Sequence, residues 1–331
     1  MADDEKKVRA LGLCSGGLDS ILSALVLRDQ GIDVTWVSFE TPFFSADKAR
    51  RASSRYDIPL KVRDITPDYL ELLKAPPAGF GKNMNPCMDC HSLMFRLAGE
   101  EMDRGNFHFL FSGEVAGQRP MSQTKPSLRY VEKHSGCNGY IIRPLSARLL
   151  PETEPEKKGW VDRERLLNIS GRSRKPQIEL ARRYGVTDYP APAGGCLLTD
   201  VGYSVRLKDL MSRAQDMTVR ALNLLKYGRH LRLNASTKLI VGRKQAENDA
   251  IQQLVDPLAD VIFHTRQFPG PLAVIPGGGD AAMLPLAAGI CAGYGKAPAG
   301  KPVDVTVSSP SGTAVISVVP VPSAENRDRI I

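Results

Sequence analysis

No stretch of the 331-residue chain is apolar for long enough to span a bilayer. The opening MADDEKKVR is charged and reads as neither a signal peptide nor an anchor, so the cytoplasm is the expected compartment. Six cysteines are too few for a disulfide scaffold in a chain of this length, and any clustered pair is better read as metal-binding or redox-active. There is no internal repeat and no low-complexity tract. The first glycine-rich loop lacks the Lys of a G-x-x-x-x-G-K-[ST] loop and the spacing of G-x-G-x-x-G, which excludes the two commonest phosphate cradles. What is present is a chain long enough for two domains, with 42% hydrophobic residues to fill their cores and a formal charge of +8 that suits a polyanionic partner.

That first loop lies in VRALGLCSGGLDSILSALVL, where a strand-like and a helix-like apolar run are joined by Ser15, Gly16, Gly17, Leu18, Asp19 and Ser20. Two readings are open. The loop could be a plain strand-to-helix turn in which glycine relieves strain and Ser or Asp caps the helix. It could instead aim backbone N–H groups and the positive helix end at a phosphate. SGGLDS resembles the SGGxDS loop of the PP-loop ATP pyrophosphatases, which split ATP between its α and β phosphates. That resemblance implies that Ser15, Gly16, Gly17, Leu18 and Ser20 hold the pyrophosphate of ATP, with Asp19 beside it near Mg2+.

Strand-like segments near 8–14, 33–39, 59–64, 107–112 and 139–143 alternate with helical patterns at 18–30, 45–56, 88–104 and 175–184. The alternation predicts an α/β fold, a doubly wound parallel sheet with ligands outside the carboxyl ends of its strands. After about residue 204 the pattern changes to a helical stretch, Val205 to Tyr227, and then to the short strand candidates KLIVG, DVIFHT, LAVIP and VDVTVSS. One helix candidate, MLPLAAGICAGYGKA, interrupts them. The expected domains are therefore a PP-loop catalytic domain over 1–204 and a second, smaller α+β domain over 205–331. LLPETEPEKKGW reads as an exposed loop of the first.

Cys87 and Cys90 have C-x-x-C spacing in KNMNPCMDCHSLMF, just before an amphipathic helix, and a third candidate, Cys196, stands in YPAPAGGCLLTD. Cys14 in the first strand, Cys137 in a polar turn and Cys291 in an apolar helix read as filler. Three chemistries are open to Cys87, Cys90 and Cys196: a structural zinc completed by His91, a persulfide and disulfide cycle between Cys87 and Cys196, or three ligands of a 4Fe–4S cluster whose fourth iron carries sulfide. NPCMDC resembles the NPCxxC element of tRNA 2-thiouridine synthetases, which favours catalytic cysteine chemistry, and the cluster first.

FLFSGEVAGQRPMSQT resembles the TGExxGQxxSQT element of tRNA 4-thiouridine synthetases, with Gly113, Glu114, Gly117, Gln118, Ser122 and Gln123 matching; the following YIIRPLS resembles their RPL segment. The resemblance implies that Gly113, Glu114 and Gln118 line the nucleotide and target-base pocket. Those synthetases usually carry an amino-terminal ferredoxin-like and THUMP region, whereas this chain starts at the PP-loop strand, so RNA docking is expected from elsewhere. The carboxyl-terminal stretch supplies a source. LIVGRKQAENDAIQQLVDPLADVIFHTRQFPG and AAGICAGYGKA resemble the NFACT-type RNA-binding domain through Gly242, Arg243, Asn248, Asp249, Asp260, Phe263, His264, Pro269 and Gly270. Arg229, Arg232, Lys238, Arg243, Lys244 and Arg266 are the expected phosphate-facing cations.

Together these resemblances imply an ATP-dependent tRNA sulfurtransferase acting on uridine 8 to give 4-thiouridine, with Asp19, Cys87, Cys90 and Cys196 carrying the chemistry. Its expected partners are tRNA and a sulfur donor, either sulfide or a persulfide carrier, with no membrane and with room for a homodimer. The alternatives are a 2-thiouridine synthetase acting at the wobble position, a PP-loop ligase of a small molecule with structural zinc, and a non-catalytic RNA-binding factor.

Overall fold

The computed structural model describes residues 7–191, 195–213 and 217–331. The chain divides into two compact units, Met1–Thr199 and Asp200–Ile331.

In the first unit the strands are β1 (Arg9–Leu13), β2 (Asp33–Glu40), β3 (Leu60–Asp64), β4 (Phe109–Ser112) and β5 (Ile141–Ile142). They form one sheet in the order β3-β2-β1-β4-β5, parallel at every pairing. Between them run α1 (Leu18–Arg28), α2 (Asp47–Tyr56), α3 (Thr66–Lys74), α4 (Cys87–Arg104) and α5 (Lys125–Ser135), followed by α6 (Glu154–Lys157) and α7 (Lys175–Arg183). This is the expected doubly wound α/β sheet. The strand order reverses after β3, and right-handed crossovers then put α1 and α2 on one face and α4 on the other. One core cluster accordingly gathers residues of α1, α2 and α7 around Trp36, Phe109 and Phe111 and holds none of α4. The reversal opens a crevice at the carboxyl ends of β1 and β4, where the SGGLDS and SGEVAGQ loops emerge.

Two helices escaped the sequence reading, α3 and α5. Pro67 and Pro126 sit in their first turns, where the missing N–H costs nothing, and Thr124 caps α5 by accepting from Ser127 N. The stretch expected as an exposed loop contains α6, nucleated by a Thr153–Glu156 capping box, with Pro155 and Glu156 buried.

In the second unit α8 (Val201–Ser212) starts earlier than expected, because the Asp200 side chain accepts from Tyr203 N and caps it there. The helical stretch breaks into α8 and α9 (Val219–Leu224); Ala214, Gln215 and Asp216 lie outside the described residues. Then come β6 (Arg229–Arg232), β7 (Lys238–Val241), α10 (Gln245–Gln253), β8 (Val261–Thr265), β9 (Ala273–Ile275), α11 (Leu284–Gly293), β10 (Val303–Ser309) and β11 (Gly312–Val318). The six strands form an antiparallel sheet ordered β11-β10-β8-β9-β7-β6, with the apolar α11 packed into its core. β6 and β11 were not expected; β11 is an edge strand, and β6 bonds on its outer side to the carboxyl-terminal residues through Leu231 with Ile330 and Ile331 N with His230 O. Among the described residues no helix is long and apolar enough to cross a membrane.

Candidate active site

β1 ends at Leu13, so Cys14 belongs to the loop rather than to the strand as expected, and its sulfur accepts from Gly16 N at 3.3 Å. Gly16 has φ +68, and a Cβ there would lie 2.2 Å from the Lys48 carbonyl carbon, so only glycine lets the loop turn against the start of α2. Gly17 is the N-cap of α1, with no side chain capping it. The Ser20 hydroxyl turns back to donate to Gly17 O at 2.8 Å. The plain-turn reading expected a Ser or Asp cap; among the described residues no side chain caps the first N–H groups of α1.

Gly113, at the end of β4, abuts this loop. A Cβ there would come within 2.5 Å of the Asp19 carbonyl carbon and the Ser20 nitrogen. Its role is close packing between the two loops of the crevice. Gln118 reaches across and donates from Nε2 to Asp19 Oδ2 at 3.1 Å. Burial raises the Asp19 pKa, against the lowering effects of Gln118, Arg174, Arg119 and Gln177. Asp19 Oδ1 and Gln118 Oε1 are both buried without a hydrogen-bond partner. A carboxylate oxygen left free beside uncapped N–H groups is the donor set expected for Mg2+ and a polyphosphate.

Glu114 has a different place from the expected one. It is buried, accepting from Arg143 Nε at 3.0 Å and from the Ser112 hydroxyl at 3.1 Å, and pairing with His91 Nδ1 at 2.9 Å. Burial pushes its pKa up, but Arg143 and His91 outweigh that and hold it at about 2. Glu114 therefore ties β4, β5 and α4 together behind the crevice, and the Arg of the RPL segment is its partner.

The same tie brings the cysteines to this side of the sheet. Parallel topology puts the start of α4 at the carboxyl ends of the strands, and His91 follows Cys90 directly. Cys87 and Cys90, three apart, share one face of α4. Asn85 Nδ2 donates to Cys87 Sγ at 3.2 Å. Asp89, between them, accepts from Ala78 N and from the Tyr130 hydroxyl, which fixes the first turn. Cys196 arrives on a loop pinned by Leu197 N to Phe43 O at 3.0 Å and by Asn83 Nδ2 to Thr199 O at 2.7 Å. Pro192, Ala193 and Gly194 of its glycine- and proline-framed approach lie outside the described residues.

The three sulfurs influence one another. Burial and then the neighbouring Cys196 push the Cys90 thiol far up, and burial together with Cys87 pushes Cys196 up to about 11. The hydroxyl of Tyr69, fully buried on α3 against Phe43 and Phe44, interacts with Cys90 and makes no other hydrogen bond. Among the described residues no three His, Cys, Asp or Glu side chains are gathered as a metal-holding group. Three sulfur donors near one another nevertheless fit a soft or borderline metal centre chemically. His91, the fourth ligand of the zinc alternative, directs Nδ1 to Glu114.

Comparison with known proteins divides the chain the same way. Residues 6–148 match the family model described as thiamine biosynthesis protein (ThiI), and residues 228–329 match that of the NFACT protein RNA binding domain. The first unit is thus similar to ThiI-type proteins and the second to NFACT-type RNA-binding domains. The chain is 28% identical over 212 residues to a tRNA-specific 2-thiouridylase MnmA of Herpetosiphon aurantiacus, covering 57% of this chain and 55% of that protein. It is 35% identical over 86 residues to the tRNA-specific 2-thiouridylase MnmA of Desulfosudis oleivorans, covering 24% of each. The chain thus spans about half or less of the length of these curated relatives. Among solved structures, a predicted subunit of tRNA methyltransferase from Methanocaldococcus jannaschii aligns with a TM-score of 0.32 at 18% identity, over 41% of this chain and 67% of that one.

Within the second unit several of the motif residues build the fold. Asn248 Oδ1 accepts from Leu272 N at 3.2 Å, Asp260 accepts from Asp256 N, Gly277 N and Arg220, and Phe263 is core. Two of the six expected phosphate-facing cations are corrected: Arg232 and Lys238 both pair with Asp209 and are nearly buried. Arg243 is held by Glu247, and Arg229 lies over the Tyr294 ring. Lys244, Arg266 and His264 remain exposed.

Tyr69, Asn85 and Arg143 were not singled out from the sequence as site residues. Asn85 and Arg143 stand inside quoted motifs, so the signal existed; Tyr69 lies on a helix that the pattern did not reveal.

Proposed function

We propose that this protein is an ATP-dependent tRNA sulfurtransferase, with uridine 8 and 4-thiouridine as target and product. The observation that carries the reading is that the parallel sheet delivers two groups to the carboxyl ends of its strands: the start of α1, without a side-chain cap and with Asp19 in its first turn, and the start of α4 with Cys87 and Cys90, near which Cys196 lies. A uracil carbonyl oxygen is a poor leaving group. In the proposed order that oxygen attacks the α-phosphorus of ATP, the bond to the bridging oxygen breaks, and pyrophosphate departs with the electron pair. Backbone N–H groups of the first turn of α1 stabilise the departing charge. Asp19 would hold Mg2+, which supplies further neutralisation of the phosphates. A sulfur nucleophile then attacks the activated carbon and AMP leaves.

Cys87, Cys90 and Cys196 would hold a 4Fe–4S cluster, which supplies a hydrosulfide nucleophile when bound. Asn85 and Tyr69 orient the sulfurs of Cys87 and Cys90, and the apolar wall of Phe43, Phe44 and Tyr69 keeps water from their rear. Transfer RNA would dock through the exposed cations of the NFACT-type domain, with sulfide or a persulfide carrier as donor. The names of the two curated relatives favour a second reading, thiolation at C2 to give 2-thiouridine. The test is anaerobic incubation of the purified protein with magnesium ATP, sulfide and unmodified tRNA, followed by nucleoside analysis. ATP-dependent 4-thiouridine supports the proposal, 2-thiouridine selects the second reading, and no thionucleoside overturns both.

A further inference from the structure

The crevice holds polar groups that SGGLDS and the cysteines do not use. Gln177, in the first turn of α7, is completely buried, and neither its amide nitrogen nor its amide oxygen has a hydrogen-bond partner of ordinary geometry. Arg174, the N-cap of the same helix, has its Nε buried and unpartnered. Arg174 acts on Asp19 by its charge, and Gln177 by a side-chain hydrogen bond looser than ordinary geometry. The approach to α7 is fixed to the other crevice loop, Ser170 bridging Ala116 and Gly171 N donating to Ala116 O at 2.8 Å. The first turn of α7 contains no acidic residue; the Ser173 hydroxyl accepts from Lys175 N at 3.4 Å, and Pro176 has no N–H. The start of α7 thus brings a guanidinium and no carboxylate to the neighbourhood of Asp19.

Orphaned buried polar atoms cost roughly 1–3 kcal/mol each, and here they concentrate beside one carboxylate: Asp19 Oδ1, Gln118 Oε1, both ends of Gln177 and Arg174 Nε. No group that packs the core needs them there. We infer that Arg174 and Gln177 are substrate-binding residues, completing the site for the β and γ phosphates of ATP so that pyrophosphate is held from α7 as well as from the SGGLDS loop. This rests on the ATP reading above and adds to it the residues that recognise the leaving group. The guanidinium matches two phosphate oxygens at once. The Gln177 amide supplies a donor to phosphate and an acceptor for a Mg2+-bound water.

The test is calorimetric titration of the full chain with magnesium pyrophosphate and, separately, with AMP. Arg174→Ala is expected to weaken pyrophosphate binding by about tenfold to a hundredfold, the scale of one or two charged hydrogen bonds, while AMP binds as to wild type; Arg174→Lys recovers part of the loss. Gln177→Leu, an apolar residue of similar size, is expected to weaken pyrophosphate binding while leaving the melting temperature unchanged or higher, which a purely structural glutamine would not do. Equal pyrophosphate affinity in wild type and Arg174→Ala overturns the inference and leaves the ATP reading standing. Equal loss of AMP and pyrophosphate binding overturns it also, since the effect is then not on the leaving group. A wild-type protein that binds neither pyrophosphate nor AMP overturns both.

Discussion

Glu114 and Arg143 meet as a buried ion pair, Oε2 to Nε 3.0 Å, with side chains 6% and 3% exposed. Arg143 also faces Glu132 at 3.6 Å, and Glu114 also pairs with His91 on the cysteine-bearing helix. The element linking the PP-loop crevice to the cysteines is therefore electrostatic, and each charge depends on its partners.

Removing one partner should be costly. Arg143→Met leaves Glu114 buried without its main counter-charge and is expected to lower stability by about 3–5 kcal/mol, read by urea unfolding. The double variant Glu114→Leu with Arg143→Met should recover much of that loss. The pH dependence has a definite sign: the folded pKa of Glu114, about 2, lies below the ordinary glutamate value of 4.5. Its contribution is therefore complete above that ordinary value and fades as pH falls toward about 2, with a slope of at most about 1.4 kcal/mol per pH unit. A double variant as acid-sensitive as wild type in this window would show that the pair is not the source.

Gly113→Ala should disable nucleotide binding more than folding. The added Cβ meets the backbone at Asp19 and Ser20, neither of which is a flexible side-chain end. Overpacking of this kind costs about 1–3 kcal/mol and moves the N–H groups of α1 away from their ligand. Thermal melting and ATP titration together distinguish local displacement from general unfolding.

The six cysteines should separate into three classes. Ala at Cys87, Cys90 or Cys196 is expected to remove iron and thionucleoside formation together. Cys14→Ala, which deletes the acceptor of Gly16 N–H, should weaken ATP binding and leave iron in place. Ala at Cys137 or Cys291 should leave both intact. Iron, sulfide and thiolated nucleoside are measured on anaerobic preparations; full activity in iron-free wild type would reject the cluster, and metal release by His91→Ala would favour zinc.

Docking of tRNA should weaken steeply with salt. Lys244→Ala and Arg266→Ala, both exposed, are each expected to reduce the log–log salt slope by about one for every phosphate that the removed cation had neutralised. Arg232→Ala breaks a nearly buried pair with Asp209 and should instead lower the melting temperature. A slope unchanged by either surface substitution would direct the search for the RNA-binding face elsewhere.

Much of the protein is set by local sequence. SGGLDS between two apolar runs specifies a strand, a glycine turn and an uncapped helix, because φ at Gly16 and the approach of the Lys48 backbone admit little else. The alternation of strands and helices specifies the parallel sheet, since parallel strands need crossovers. C-x-x-C at a helix start puts two sulfurs on one face by helical period alone. What tertiary structure decided is which charged and polar groups are used up in holding the fold. Glu114, Arg232 and Lys238 read as site residues by motif or charge, yet each is committed to a partner more than twenty positions away in the chain. Tyr69, Arg174 and Gln177 carry no motif that marks them, yet packing leaves Tyr69 facing a sulfur and the other two buried beside Asp19 with polar atoms lacking ordinary hydrogen bonds. Pairing and desolvation act through space, and neither leaves a periodic trace along the chain.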